Sequence, residues 1–94
     1  MVELNPSYAD GHNNLGVTLK DQGKLKDSIK AFEKALSLNP SHAEAHNNMG
    51  FTLQSQNKLE DSIKSYKKSI VIKPDYVEAH NNLGIALQGQ GKIE

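Results

Sequence analysis

The sequence predicts an all-α protein built as a stack of antiparallel helix pairs, and three observations carry that expectation. The chain repeats itself with a period of 34 residues: segments 5–38 and 39–72 are identical at 18 of 34 aligned positions, and segment 73–94 matches the opening 22 positions of the second unit at 12. Within a unit, apolar and small residues fall at helical spacing twice, in Leu15, Gly16 and Leu19 and then in Leu25, Ile29, Phe32 and Leu36. Pro6, Pro40 and Pro74 mark the same point in every unit. The 94 residues therefore make one domain of about two and a half units, 5–38, 39–72 and 73–94, too short to enclose two independent cores.

Each element has its own signals. The first helix of a unit is expected to open on a capping box, Ser7-x-x-Asp10, Ser41-x-x-Glu44 or Asp75-x-x-Glu78, in which a side-chain oxygen and an acid three residues on satisfy orphan amides. It is expected to close near Gly23, Asn57 and Gly91, residue types that tolerate the left-handed conformation past a helix end. The second helix runs from about Leu25 to Leu38, where Pro40 restricts the residue before it and breaks the chain direction. In the third unit the first helix spans roughly Tyr76 to Gln88. Gly16, Gly50 and Gly84 lie inside first helices, where glycine costs roughly 0.5–1 kcal/mol against alanine. A glycine facing the small Ser28 or Ser62 of the second helix lets the two backbones approach closely, and this packing role explains the recurrence.

Composition removes several function classes. Lys+Arg and Asp+Glu number 11 each, so no net field attracts nucleic acid or an acidic membrane, and every cation is a lysine, without the planar fork that suits phosphates and base edges. With no cysteine there is no disulfide, thiolate metal site or thiol nucleophile. The opening residues Met1 to Pro6 lack the basic and apolar regions of a signal peptide, which points to the cytoplasm, and no apolar run approaches the roughly 20 residues that span a bilayer. Gly89-Gln90-Gly91-Lys92 lacks the strand and spacing of a phosphate loop. Nothing brings a nucleophile and a base together, so the chain reads as non-catalytic and without a cofactor.

The residues His12, Leu15, Gly16, Leu19, Ser28, Phe32 and Pro40, repeated as His46, Met49, Gly50, Leu53, Ser62, Tyr66 and Pro74 and begun again as His80, Leu83, Gly84 and Leu87, carry a resemblance to the tetratricopeptide repeat. The departures are His for the opening aromatic, Leu for Tyr and Ser for Ala. The A-H-N-N-[LM]-G run looks most like the arrays that precede the catalytic domain of O-linked N-acetylglucosamine transferases, of which no catalytic domain is present in this sequence. The resemblance implies a right-handed superhelical solenoid with first helices lining a concave groove, and a protein or peptide client bound there.

Helical phase indicates which residues face that groove. With Leu15 and Leu19 in the packed layer, positions about a hundred degrees away are Asp10, Asn13, Asn14, Val17 and Asp21, then Glu44, Asn47, Asn48, Phe51 and Ser55, then Glu78, Asn81, Asn82, Ile85 and Gly89. Asn14, Asn48 and Asn82 form a once-per-repeat ladder, and a primary amide offers both a donor and an acceptor to an extended peptide. The transferase-type arrays carry such a ladder at this phase, which the resemblance adds. The competing reading has the same amides bridging neighbouring helices. Val17, Phe51 and Ile85 form a parallel apolar stripe, read either as a contact surface or as half-buried packing. Asp10, Glu44 and Glu78 read as helix-start acids or as an acidic row in the groove. Members of the family that clamp a carboxylate carry lysines and an arginine with their asparagines. Here Asn48 matches the central asparagine, whereas Asn13, Val17, Glu78 and Asn82 stand where other residues are needed, so clamp function is not expected.

His12, His46 and His80 recur one repeat apart, roughly 10 Å, too far to share one metal ion at about 2 Å, and are read as structural. Lys30, Lys34, Lys64, Lys67 and Lys68 read as a solvated basic flank. By phase, Met1 to Leu4 is the tail of a preceding second helix, and Glu94 falls where the third unit's second helix begins. Leu83, Leu87 and Ile93 are therefore expected to show apolar surface and to pack against another copy of the chain. The expected function is a protein-interaction module with protein or peptide partners, no nucleic acid and no membrane. The alternatives are a self-assembling spacer and a substrate-presenting segment of a larger transferase.

Overall fold

The computed structural model describes residues 6–91, with side chains from Tyr8 onward. Among the described residues five helices follow one another: α1 (Pro6–Asp21), α2 (Leu25–Leu38), α3 (Ala43–Ser55), α4 (Leu59–Ile72) and α5 (Val77–Gly89). The described residues contain no strand. Helices α1 and α2 form one packed pair and α3 and α4 the next. α3 also packs on α2 and α1, and α5 on α4 and α3, whereas the backbones of α2 and α4 stay more than 8 Å apart between Cα atoms. The row α1, α3, α5 is thus continuous while α2 and α4 diverge, so the first helices lie on the inner side of an elongated body of 52 × 29 × 17 Å.

The helix ends follow local chemistry. Past α1 the chain turns through Gly23 at φ +80, with Lys24 N–H bonding Leu19 C=O and Gly23 N–H bonding Lys20 C=O. Asn57 repeats the turn at φ +65 with Lys58 N–H on Leu53 C=O, and Gly91 has φ +69. The expected caps at Ser41 and Asp75 are corrected. Pro40 sits second in a turn closed by His42 N–H on Asn39 C=O, and Tyr76 N–H on Lys73 C=O closes the same turn around Pro74. The turn delivers residues 42 and 76, not 41 and 75, as N-caps. His42 Nδ1 then accepts the Ala45 N–H at 3.2 Å, and Ser41 N–H instead donates to Asn39 Oδ1 at 3.1 Å. α1 is helical from Pro6, so Ser7 lies inside it.

Small residues and one ring per repeat build the core. Phe32 and Tyr66 are fully buried, each lying on the interior glycine of its partner helix. A Cβ on Gly16 would sit 2.5 Å from the Phe32 ring, and one on Gly50 2.7 Å from the Tyr66 ring and 3.2 Å from Ser62 C=O. The glycines therefore admit an aromatic ring as well as a small serine. Ser28 Oγ ties the first pair by donating to Gly16 C=O at 2.7 Å. Tyr66 O–H donates to Gln54 Oε1 at 2.7 Å, and burial pushes its phenol above the ordinary range. Leu83 and Leu87 pack against the cluster of Ile63, Tyr66 and Ala86. These two leucines, expected to show apolar surface, are half-buried, because α4 covers one side of α5. Ile93 lies outside the described residues.

Candidate functional site

The inner face is made by α1, α3 and α5, and on it the two adjacent asparagines of each repeat do different work. Asn13 and Asn47 are buried, 6% and 3% exposed, beneath the following repeat. Asn48 Nδ2 donates to Asn13 Oδ1 at 3.1 Å, and Asn82 Nδ2 donates to Asn47 Oδ1 at 3.0 Å. The bridging reading of the ladder amides therefore holds for Asn48 and Asn82, each of which donates to the first asparagine of the repeat before it, Asn13 or Asn47. Consecutive helical residues point about a hundred degrees apart, so the second asparagine of one helix reaches back to the first of the helix before it. Asn14 and Asn81 are exposed and Asn48 and Asn82 half-buried, and the Asn48 and Asn82 side chains make no further hydrogen bond among the described residues.

One turn along, Phe51 is 44% exposed, Ile85 55% exposed and Val17 half-buried, so the apolar stripe is open along most of its length. Lys20 places its ammonium 4.8 Å from the centre of the Phe51 ring while lying 3.7 Å from Asp21 Oδ1. That cation on an aromatic face was not legible in the sequence, since the equivalent positions in the other units are Gln54 and Gln88. Asp10, Glu44 and Glu78 are exposed along the same helices. Asp10 is also engaged structurally, its Oδ1 accepting from His42 Nε2 at 2.7 Å. His42 therefore caps α3 through one ring nitrogen and ties it to α1 through the other, a role that periodicity gave no sign of.

The recurring histidines are anchored to the turn before their helix. His46 Nε2 donates to Pro40 C=O at 3.0 Å and His80 Nε2 to Pro74 C=O at 2.8 Å. His46 is buried, His12 half-buried and His80 exposed. Burial holds the His46 imidazole below its ordinary value of 6.5, opposed by the Pro40 carbonyl and reinforced by Lys68 and His42. Among the described residues no group of three metal-ligating side chains comes together, and no helix is long and apolar enough to cross a membrane.

The five lysines of the basic flank are exposed. Those on α4 rim a cleft of about 620 Å³ between α2 and α4, floored by His46 and Met49. Sequence periodicity could not reveal this cleft, because it exists only where two helices of different repeats part company.

Comparison with known proteins agrees with this architecture. Family models described as "TPR repeat" and "Tetratricopeptide repeat" match residues 53–91, 9–42 and 31–64, together covering 9–91. No curated protein sequence matches the chain. Two crystal structures of MamA superpose with TM-scores of 0.86 at 28% identity, over 93% of this chain and 51% and 48% of theirs. The chain thus spans about half the length of MamA. The second TPR of Spaghetti (RPAP3), solved bound to the HSP90 peptide SRMEEVD, superposes with a TM-score of 0.91 at 20% identity, over 95% of this chain and 82% of that one. With its 34-residue period, its paired helices and three successive matches to one repeat type, the chain belongs to the tetratricopeptide-repeat family.

Proposed function

We propose that the chain is a non-catalytic interaction module whose inner face takes an extended peptide or protein segment. The observation that supports this is the alternation, once per repeat, of an amide with free hydrogen-bonding capacity and an apolar side chain open to solvent: Asn48 with Phe51, and Asn82 with Ile85. Amides meet peptide backbone irrespective of sequence, and the apolar residues between them supply side-chain contacts that select among sequences. Lys20 beside Phe51 favours clients with an acid next to an apolar residue at that point, while Asp10, Glu44 and Glu78 disfavour long acidic runs.

The test must separate binding from folding, because Asn48 and Asn82 also hold repeats together. Peptides selected from a display library on the parent chain are titrated against Asn14→Ala combined with Phe51→Ala and Ile85→Ala, all at exposed side chains. A loss of tenfold or more with unchanged helicity is the expected result, given roughly 0.5–1.5 kcal/mol for one hydrogen bond and a few tenths to about 1 kcal/mol for each partly exposed apolar side chain. Unchanged affinity for every selected peptide refutes the inner face as the binding surface.

A further inference from the structure

The cleft between α2 and α4 lies on the opposite side of α3 from the inner row and takes no part in the site above. Its apolar surface comes from Leu36 and Pro40 on one bank, Met49 in the floor, and Val71 and Ile72 on the other bank. Val71 is 79% exposed and Ile72 37%, so the last turn of α4 offers aliphatic surface beside a recess of about 620 Å³, a volume typical of ligand sites. Lys64, Lys67 and Lys68 stand along the same bank, all exposed, and no carboxylate lines the cleft. None of the three takes part in an ion pair among the described residues. Like charges one helical turn apart repel, and a chain with 11 cations and 11 carboxylates overall has concentrated one sign here. His46 in the floor donates its Nε2–H to Pro40 C=O and is buried, and burial disfavours its charged form, so the cations of the cleft are the lysines of the rim.

We infer that this outer cleft binds an extended acidic peptide segment of a partner protein, with an aliphatic side chain lodged near Val71, Ile72 and Leu36 and carboxylates along Lys67, Lys68 and Lys64. The spacing sets the register. Lys64 and Val71 are seven residues apart on α4, about 10 Å at 1.5 Å per residue, which an extended peptide covers in about three residues. The motif is thus one aliphatic residue with two or three acids within the next three or four positions on one side. Charge complementarity selects a peptide over other polyanions. Part of the apolar surface, Leu36 and Met49, is set back between two helices where a flat bilayer makes poor contact, and the rim has neither the arginine fork nor the stacked aromatics that grip nucleic acid.

The probe is a fluorescein-labelled peptide with one leucine followed by three glutamates, flanked by glycine and serine. Its binding is followed by anisotropy and by amide chemical shifts of the labelled chain. The expected result is shifts at Met49, Val71 and Ile72 with Phe51 and Ile85 unmoved, and affinity that falls with salt. A tenfold or greater loss is expected both in Lys64→Glu combined with Lys67→Glu and Lys68→Glu and in Val71→Asp, whereas Lys30→Glu with Lys34→Glu leaves affinity unchanged. Replacing the leucine of the peptide by serine is expected to cost a similar factor. Equal weakening by the α2 and α4 reversals, equal binding of the serine peptide, or shifts centred on Phe51 and Ile85 each overturn the inference. So does co-sedimentation with vesicles containing phosphatidylserine when the peptide gives no response. Because the inner-face variants and this cleft share no residue, either surface can fail without the other.

Discussion

Replacing Gly50 with alanine adds one methyl group in the middle of α3, a change that normally stabilises a helix by about 0.5–1 kcal/mol by restricting the unfolded chain. Here the methyl carbon would lie 2.7 Å from Tyr66 Cε1, 2.8 Å from Cδ1 and 3.2 Å from Ser62 C=O. The ring cannot swing away, because Tyr66 is fully buried and its hydroxyl is held by Gln54 at 2.7 Å. Overpacking of this kind costs roughly 1–3 kcal/mol, so the net effect is a destabilisation of about 0.5–2 kcal/mol. Gly11→Ala is the matched control, since Gly11 is an exposed position within α1 where an added Cβ meets nothing within 4 Å. The propensity gain is unopposed there, and that variant should be stabilised by about 0.5–1 kcal/mol. Urea midpoints and thermal melts followed by circular dichroism read both, with a shift of roughly 4–8 °C for each kcal/mol in a domain of this size. A Gly50→Ala chain that melts at or above the parent refutes the argument that the ring enforces glycine.

Further outcomes follow from the inter-repeat ties and from burial. Asn47→Ala removes the acceptor for Asn82 Nδ2 and should destabilise by about 1–2 kcal/mol, whereas Asn81→Ala, at an exposed side chain, should stay within about 0.5 kcal/mol of the parent; equal effects would show that the amide bridge carries no energy. His46 has a folded pKa below 6.5, so the unfolded chain binds its proton first on acidification: the stability this residue contributes is complete above about pH 6.5 and declines as the pH falls through that value toward the folded pKa. His46→Gln should flatten the stability profile between about pH 7 and 5 relative to the parent, and an identical slope in the two chains would contradict the burial argument.

The sequence disclosed what one repeat says about itself and little of what one repeat says to the next. Leu25–Leu38 was readable residue for residue, because an amphipathic pattern bounded by a left-handed glycine and an X-Pro turn leaves no freedom in its ends. The caps of α3 and α5 were misplaced because serine and aspartate beside a proline mimic a capping box while the proline-centred turn runs one residue further. Among the paired asparagines, helical phase placed both residues of each pair on the exposed side of the packed layer. It could not tell which amide the following helix would cover, since that depends on the angle between repeats. The same limit hid His42, Lys20 on Phe51 and the cleft between α2 and α4, each of which involves residues from two repeats.

The bridge from the second asparagine of one repeat to the first of the repeat before it recurs with a separation of 35 residues at both junctions. A bond that is the same everywhere carries no address. Any repeat bearing the Asn-Asn pair satisfies any other, so a folding chain gains as much from joining a neighbour out of turn as from joining it in order. Correct order must then be written in the contacts that differ between junctions. The first junction has such a mark in Asp10 and His42, where the second has Glu44 and Tyr76 at the equivalent positions. Copying the first junction's pair onto the second, by Glu44→Asp with Tyr76→His, keeps the Asp10–His42 tie and removes the label, and the expected penalty falls on fidelity of assembly: more interlocked and misordered species after refolding at high concentration.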